Sequence, residues 1–450
     1  MFSSRGLLLA TVAAAALSAG VVEAQAGGFA LREQSAVGVG NAFAGAAAGG
    51  SGLSSMFWNP ATMTDFAGIQ SSSSFSLILP YSNITPGAGT SPTLLFLGGS
   101  ASTGDIAQDA VLPASYFSYQ LGERVWAGIA VNSPFGLVTQ NPNAWAAQLY
   151  GRTSKVFSVN VNPNVAVQVN DWLSVGAGLQ IMYFKVRLTS ANDSGATGGI
   201  PNVLLPSARS GELKGDDTAV GYTLGATVKP WSGAEIGIGY RSRVEPKLSG
   251  SFVAPGGVPS TGLAAGSYSI TSGVTLPDQV TIGIRQQVTS DFTVLAGWEW
   301  THWGLFSRFP VVTSSGAAAT TLNFDYRDSW YASLGGEYAW NQNLTVRAGL
   351  AFEKSPIKND TRSVRLPDSD RIWTTVGATY KLDQKLSFDV AYAHLFAKSG
   401  SINVVPGNPN YVAGLPFVGT TKGHVDIISV GFTYRWDDPK PNRNLVVAKY

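Results

Sequence analysis

Apolar and polar side chains alternate along many short stretches of the chain, most clearly over residues 386–393. Leu386, Phe388, Val390 and Tyr392 fall on one face of a strand, and the residues between them are small or polar. Successive side chains of a β-strand point to opposite faces. One apolar face and one polar face per strand is typical of a membrane β-barrel, whose wall meets lipid outside and water inside. We therefore predict an all-β fold, a transmembrane antiparallel β-barrel.

Short polar connections alternate with long ones along the chain, as in outer-membrane barrels with short periplasmic turns and long outer loops. About fourteen strands fit between them, an even number as single-chain barrels need. The short connections are 122–123, 170–171, 231–233, 290–291, 341–343 and 383–385. The long connections are near 81–111, 137–154, 189–215, 250–273, 304–323, 354–367 and 400–421.

Aromatic side chains lie beside several short turns, which predicts an interfacial girdle. Its expected members are Trp126, Trp172, Trp231, Phe292 and Trp340. On the loop side, residues 141–152 predict a short helix that offers Trp145 to an apolar groove. Ordinary packing of the loop is the alternative for Trp145.

The composition supports a membrane protein and excludes several kinds of site. Charged residues make up 13% of the 450 residues, against roughly 25% in soluble domains. The chain has no cysteine, so disulfides and thiolate chemistry are excluded. A net charge of +2 without a basic run argues against a nucleic-acid partner. Nothing in the sequence implies a metal or another cofactor.

Residues 1–26 are predicted to be a secretory signal, with Arg5 before an apolar stretch and Ala24-Gln25-Ala26 as the cleavage site. No run of 18 apolar residues follows, so we expect no membrane-spanning helix. A secreted chain of half-apolar strands without cysteine indicates the outer membrane of a Gram-negative bacterium. We expect the barrel to span residues 68–436 and a periplasmic tail to span 437–450.

Residues 27–67 precede the first strand and lack its alternation. Their many small side chains would allow tight packing, so we predict that they form a hatch inside the barrel. Ser35 is placed to cap a short helix over residues 36–48.

Charges of both signs fall on the inward face of the strands near the short turns. We expect them to form a network that pins the hatch, with Arg32 and Glu33 as hatch partners; lumenal ion pairs without a plug are the alternative. The network consists of Arg285, Glu337, Arg347, Lys381 and Asp389.

Three motifs near the mature N-terminus look like the long-chain fatty-acid outer-membrane transporter family (FadL). They are Gly28-Phe29-Ala30-Leu31, Gly38-Val39-Gly40-Asn41-Ala42 and Asn59-Pro60-Ala61. Residues 240–242, 352–356 and 366–373 continue the resemblance in order. It implies a monomeric fourteen-stranded barrel closed by an N-terminal hatch. The implied partners are long-chain fatty acids or aromatic hydrocarbons, with lipid and lipopolysaccharide around the barrel.

The family mechanism implies capture at the outer loops, transfer to an internal pocket and lateral exit at a kink in the third strand. The resemblance places the gating residues at Phe29, Asn59, Pro60 and Ala61. It places the lateral opening at Ser133, Pro134, Phe135 and Gly136, where the third strand from Val125 ends. Proline lacks the N–H that a ladder needs, and glycine marks bulges. A plain strand end followed by a loop is the alternative.

One departure from the family concerns the substrate. The basic residues associated with head-group binding fall on Ser190 and Leu322 in this chain, and neither is basic. The departure counts against recognition of a carboxylate, so neutral aromatic or aliphatic hydrocarbons are the alternative to long-chain fatty acids, which stay the expected substrates.

Three other function classes compete with a channel for hydrophobic compounds. An outer-membrane hydrolase would need a nucleophile and a base in mutual reach, but no motif gives His302, His394 or His424 a partner. The predicted hatch argues against an aqueous porin. A structural barrel would take up nothing. We therefore expect a transporter and no enzyme.

Overall fold

The computed structural model describes residues 28–438, and β-strands dominate this part of the chain. The predicted signal and residues 439–450 of the predicted tail lie outside the described residues. The strands are β1 Ile69–Pro86, β2 Ala110–Gln120, β3 Val125–Asn132, β4 Gly136–Gln140, β5 Thr153–Gln168, β6 Leu173–Ala191, β7 Ala196–Thr197, β8 Ile200–Pro201, β9 Ser210–Val228, β10 Ala234–Arg241 and β11 Lys247–Ala254. They continue with β12 Gly266–Gly273, β13 Gln279–Gln287, β14 Phe292–Thr301, β15 Arg308–Thr313, β16 Ala318–Asn323, β17 Ser329–Ala339, β18 Leu344–Glu353, β19 Arg371–Lys381, β20 Leu386–Ala397, β21 Gly400–Val404 and β22 Phe417–Arg435.

Helices are few and short in the described residues. The α-helices are α1 Ala36–Gly40 and α2 Pro92–Leu97, and the 3₁₀ helices are Ala46–Ala48, Gly52–Phe57, Pro60–Asp65, Asn202–Leu204 and Trp303–Leu305. None of these helices has the length and apolar character that crossing a membrane requires.

The strands form a closed antiparallel barrel, because β22 pairs with β1 from Arg435↔Gln70 to Gly419↔Pro86. Six positions in the wall are filled by interrupted strands, namely β3/β4, β10/β11, β12/β13, β14/β15, β16/β17 and β20/β21. The hairpin β7–β8 is a separate sheet. Counting each interrupted strand once gives fourteen, which confirms the predicted fold.

The alternation in β20 has the predicted orientation. Phe388 and Val390 are 47% and 53% exposed on the outer surface, whereas Asp389 and Ala391 are buried inside. The apolar face of the strand therefore meets the lipid, as the sequence pattern indicated.

Three local predictions were wrong. Two predicted long connections, 250–273 and 304–323, contain the hairpins β11–β12 and β15–β16, because the barrel strands continue beyond an interruption. Residues 141–152 form turns and no helix, and Trp145 is fully buried against Phe417 rather than offered to a groove. Trp126 faces inward and is only 2% exposed, so it does not belong to the girdle. The other four predicted girdle aromatics are exposed.

The helix predicted over residues 36–48 is shorter in the structure. Ser35 caps it as predicted, with the Gly38 N–H donating to Ser35 Oγ at 3.0 Å. The helix ends at Gly40, because Ala42 and Phe43 adopt φ angles of 53° and 54° in the left-handed region.

Candidate functional site

Residues 28–67, called the inner segment here, lie inside the barrel. Inward side chains from different parts of the wall bind its backbone: Tyr116 of β2 donates to the Gln34 carbonyl at 2.9 Å, and Tyr331 of β17 donates to the Ala42 carbonyl at 2.8 Å. Most side chains of the segment are buried. The segment therefore fills the barrel interior where a hatch was predicted.

Asn59 and Ala61 of the predicted gating tripeptide lie against β6 and β9. Asn59 Oδ1 accepts from the Ala61 N–H at 2.9 Å, and Asn59 Nδ2 donates to the Ala226 carbonyl of β9 at 2.9 Å. Pro60 begins a 3₁₀ helix, where its missing N–H costs nothing. Glycines make room for this turn, since a Cβ at Gly225 would collide with Asn59 Oδ1.

Replacing Gly225 with valine should displace Asn59 and loosen the inner segment. Overpacking of this kind costs about 1–3 kcal/mol, so we expect the temperature at which the barrel unfolds on gels to fall. Gly273→Val is the matched control, because a Cβ at Gly273 in β12 meets no atom within 4 Å. Equal unfolding temperatures for the two variants would contradict the prediction.

The third wall strand is broken at the predicted place. Asn132 of β3 pairs with Asn160 of β5, and Gly136 of β4 pairs with Phe157. Residues 133–135 therefore stand opposite only two residues of β5, which makes a bulge. Ser158 Oγ holds the bulge by accepting from the Phe135 N–H at 2.9 Å.

The break opens a gap on the side of β2. Pairing between β2 and β3 ends at Ser115↔Val131. The next link to this side is a single bridge between Ala107 and Thr139 of β4. The wall therefore lacks a continuous ladder beside residues 132–138, which are the predicted lateral opening and its flanks.

The inner segment supplies hydrogen-bond partners to the broken strand. The Leu31 N–H donates to the Pro134 carbonyl at 2.8 Å, and the Gly136 N–H donates to the Phe29 carbonyl at 2.9 Å. Ala30 and Phe135 form an antiparallel bridge between these bonds. Backbone groups that face lipid must be paired, so the segment seals the break in the wall. The structure thus places Phe29 at the break between β3 and β4, and it places Asn59 and Ala61 against β6 and β9.

Phe29 also lines an apolar cavity behind the gap. Its ring lies 4.7 Å from the ring of Trp303 and 5.0 Å from that of Phe306, measured between centroids. The cavity of about 60 Å³ is lined mainly by apolar side chains of β4–β6, β9, β11, β15 and β16. A cavity of about 150 Å³ holds a single benzene, so a long acyl chain requires the lining to move.

One cation reaches this cavity, and the sequence analysis missed it. Arg365 lies in the loop between β18 and β19 and is part of the lining. Its Nη1 donates to the carbonyls of Thr189 at 3.0 Å and Thr153 at 3.4 Å. Burial lowers the pKa of the Arg365 guanidinium to about 10, so it stays protonated at neutral pH. Leu322 also lines the cavity.

A buried ionic cluster ties the start of the inner segment to the wall. Arg32 lies 2.7 Å from Glu299 and 4.0 Å from Glu353, with its guanidinium 3.8 Å above the Tyr331 ring. Arg371 joins the cluster through Glu353 at 3.5 Å. The hatch partner Arg32 thus pairs with carboxylates outside the predicted network.

The predicted charge network forms only in part. Arg347 binds Glu337 and Thr379 at 2.7 Å and 2.6 Å, and Thr379 donates in turn to Asp389. Arg285 and Lys381 form no ion pair with any described residue. In the described residues, the hydrogen bonds of this network join one wall strand to another rather than to the inner segment. At this end the segment is held instead by Asp65, which pairs with Lys229 at 2.6 Å.

Each of the three histidines lies within 4.0 Å of an aspartate, a neighbour that no sequence motif indicated. His302 lies 3.1 Å from Asp278, and His394 lies 2.7 Å from Asp426. No group of three or more potential metal ligands is present within residues 28–438.

A family model described as outer membrane protein transport protein (OMPP1/FadL/TodX) matches residues 17–436. The long-chain fatty acid transport protein of Escherichia coli is 26% identical over 430 residues, which cover 88% of this chain and 94% of that protein. Outer membrane protein P1 of Haemophilus influenzae is 28% identical over 419 residues, covering 87% and 90%. A crystal structure of a Pseudomonas aeruginosa FadL homologue has the same fold, with a TM-score of 0.81, 24% identity and coverage of 91% and 100%.

Proposed function

Because the chain belongs to the OMPP1/FadL/TodX family of outer-membrane transport proteins, we propose that it takes up long-chain fatty acids and releases them laterally at the break between β3 and β4. It is a channel for hydrophobic compounds in the outer membrane of a Gram-negative bacterium. Members of the family are channels rather than enzymes, which removes the hydrolase alternative. The name of the Escherichia coli relative supports the choice of fatty acids.

The observation that carries the proposal is the pairing of residues 29–31 with residues 134–136. The same short stretch seals the gap and, through Phe29, closes the apolar cavity. A movement of this stretch would therefore enlarge the cavity and open the wall in one step. A ligand in the cavity would shift the equilibrium towards the open state if it binds that state better.

A lateral path suits both the substrate and the packing of the inner segment. An acyl chain gains free energy by leaving water for lipid. A straight path into the periplasm would require displacement of the turn at Asn59 and of the Asp65–Lys229 pair. The path through the gap requires only that the few residues before Arg32 move.

Deletion of Pro134 tests the proposal. The deletion leaves two residues opposite two of β5, so the ladder from Asn132 to Gly136 becomes regular and inward positions remain inward. We expect uptake of a labelled long-chain fatty acid to fall to the background of a host that lacks its own transporter.

Pro134→Ala is the matched control, because it keeps the extra residue and hence the bulge. We expect this variant to retain uptake. Wild-type uptake by a correctly inserted deletion variant would refute lateral exit at this site.

Neutral hydrocarbons are the second candidate substrates for the same mechanism. The cavity lining is almost wholly apolar, and the family's head-group positions carry Ser190 and Leu322 here. Uptake of a labelled aromatic hydrocarbon without uptake of the fatty acid would favour this candidate. A monomeric state and contacts with lipopolysaccharide stay predictions.

A further inference from the structure

We infer that Arg365 binds the anionic head group of the substrate and so selects a carboxylate-bearing chain over a neutral chain of the same length. The inference rests on the proposed uptake of fatty acids and adds the residue that determines specificity. The family's head-group positions carry Ser190 and Leu322 in this chain, and neither is basic. The loop between β18 and β19 would supply the cation instead.

Two of the three guanidinium nitrogens of Arg365 have no hydrogen-bond partner among the described residues. A guanidinium carries five N–H donors in a planar fork. Only Nη1 of Arg365 is hydrogen-bonded to described residues, and its two partners are the neutral carbonyls of Thr153 and Thr189. Nε and Nη2 are therefore free to bind a carboxylate in the bidentate geometry that arginine favours.

Arg365 also lacks a counter-ion. No carboxylate of residues 28–438 lies within 4.0 Å of its guanidinium, whereas Arg209 pairs with Asp193 at 2.6 Å. A cation removed from water without a partner charge is costly. A bound carboxylate would supply the missing charge.

The surroundings of Arg365 fit an amphiphile with one charged end. The same cavity presents apolar side chains such as Phe184, Phe309 and Leu322, which would contact an acyl chain. Close packing fixes the arginine, since a Cβ at Gly151 would lie 2.9 Å from Arg365 Cγ.

The head-group site is also tied to the broken strand. Thr139 of β4 donates to the Arg365 carbonyl at 2.7 Å. Because β4 continues from the bulge, the position of the head group and the edge of the gap are held by one strand. The apolar chain then extends within reach of Phe29.

The test compares two ligands on the full chain embedded in lipid nanodiscs. Binding of a long-chain fatty acid and of the alcohol of equal length is measured for the wild type and for Arg365→Gln. We expect the variant to bind the acid at least about tenfold more weakly, equal to about 1.4 kcal/mol, and to bind the alcohol as the wild type does. Arg365→Lys keeps the charge but loses the fork, so its affinity for the acid should lie between the two.

Arg187→Gln is the matched control, because it removes the same charge from β6 near the loops, where Arg187 pairs with Glu212 at 2.6 Å outside the cavity. Its affinities should equal those of the wild type. A parallel loss of acid and alcohol binding in Arg365→Gln would show a merely structural role and overturn the inference. Unchanged acid binding in that variant would overturn the inference and leave fatty-acid uptake standing. A wild type that binds the alcohol and not the acid would overturn both.

Discussion

A disulfide between residues 30 and 135 should abolish uptake, and its reduction should restore uptake. Ala30 and Phe135 form a non-hydrogen-bonded antiparallel pair, because the flanking residues make the two hydrogen bonds. Cα atoms of such pairs lie about 4.5 Å apart, within the range of natural disulfides. The chain has no cysteine of its own, so Ala30→Cys with Phe135→Cys can form only the intended bond. The bond would hold the stretch that we propose to be the gate.

The experiment measures uptake of labelled fatty acid in cells before and after addition of a membrane-impermeant reductant. The reduced double variant controls for the loss of the Phe135 ring. A second pair, Ser73→Cys with Ser115→Cys, would cross-link β1 to β2, where the two hydroxyls lie 3.0 Å apart, and leave the inner segment free. This pair should not affect uptake. Transport by the fully oxidised 30–135 variant would exclude movement of residues 29–31 as the gating step.

Replacing Arg32 with methionine should release the start of the inner segment and make the barrel leaky. The variant leaves Glu299 buried without a cation, whereas Glu353 keeps Arg371 at 3.5 Å. Breaking a buried ion pair on one side costs about 3–5 kcal/mol. We expect a lower unfolding temperature and faster swelling of proteoliposomes loaded with a sugar, because the segment no longer blocks the lumen.

Arg124→Met provides the comparison. Arg124 pairs with Asp171 at 3.8 Å at an exposed turn, where an ion pair contributes at most about 1 kcal/mol. Replacing Glu299 with glutamine in the Arg32→Met background removes the uncompensated charge and should recover part of the stability. A sealed and stable Arg32→Met variant would show that the cluster does not hold the segment.

The barrel was predictable because its signal is local. Period-two alternation and turn residues lie within a few positions of each other, as in residues 386–393, and they give both the strands and their number. The break after β3 was also visible, since Pro134 and Gly136 constrain the backbone wherever they stand. The prediction for Trp126 was wrong because its place beside a short turn indicates the membrane interface, whereas its parity on β3 puts its side chain inside the barrel.

The candidate site was less predictable because its contacts join distant parts of the chain. Arg32 pairs with Glu299, which is 267 positions away, and Arg365 binds Thr189, which is 176 positions away. No short-range pattern distinguishes Arg365 from the exposed Arg209. Only the fold shows which of the two lines an apolar cavity and lacks a carboxylate.

The seam between β1 and β22 determines when the interior can be assembled. Trp436 donates to Ser71 at 3.0 Å across 365 positions, so the wall closes only after the last strand has been made. The inner segment is synthesised before any strand, yet its hydrogen-bond partners run from Ser74 to Thr375 along the chain. The inner segment is therefore made first, but it can complete its contacts only after the strands that bind it have been made. During folding the wall must close around a segment that was synthesised first. Any delay in adding the final strand therefore leaves the inner segment exposed for longer.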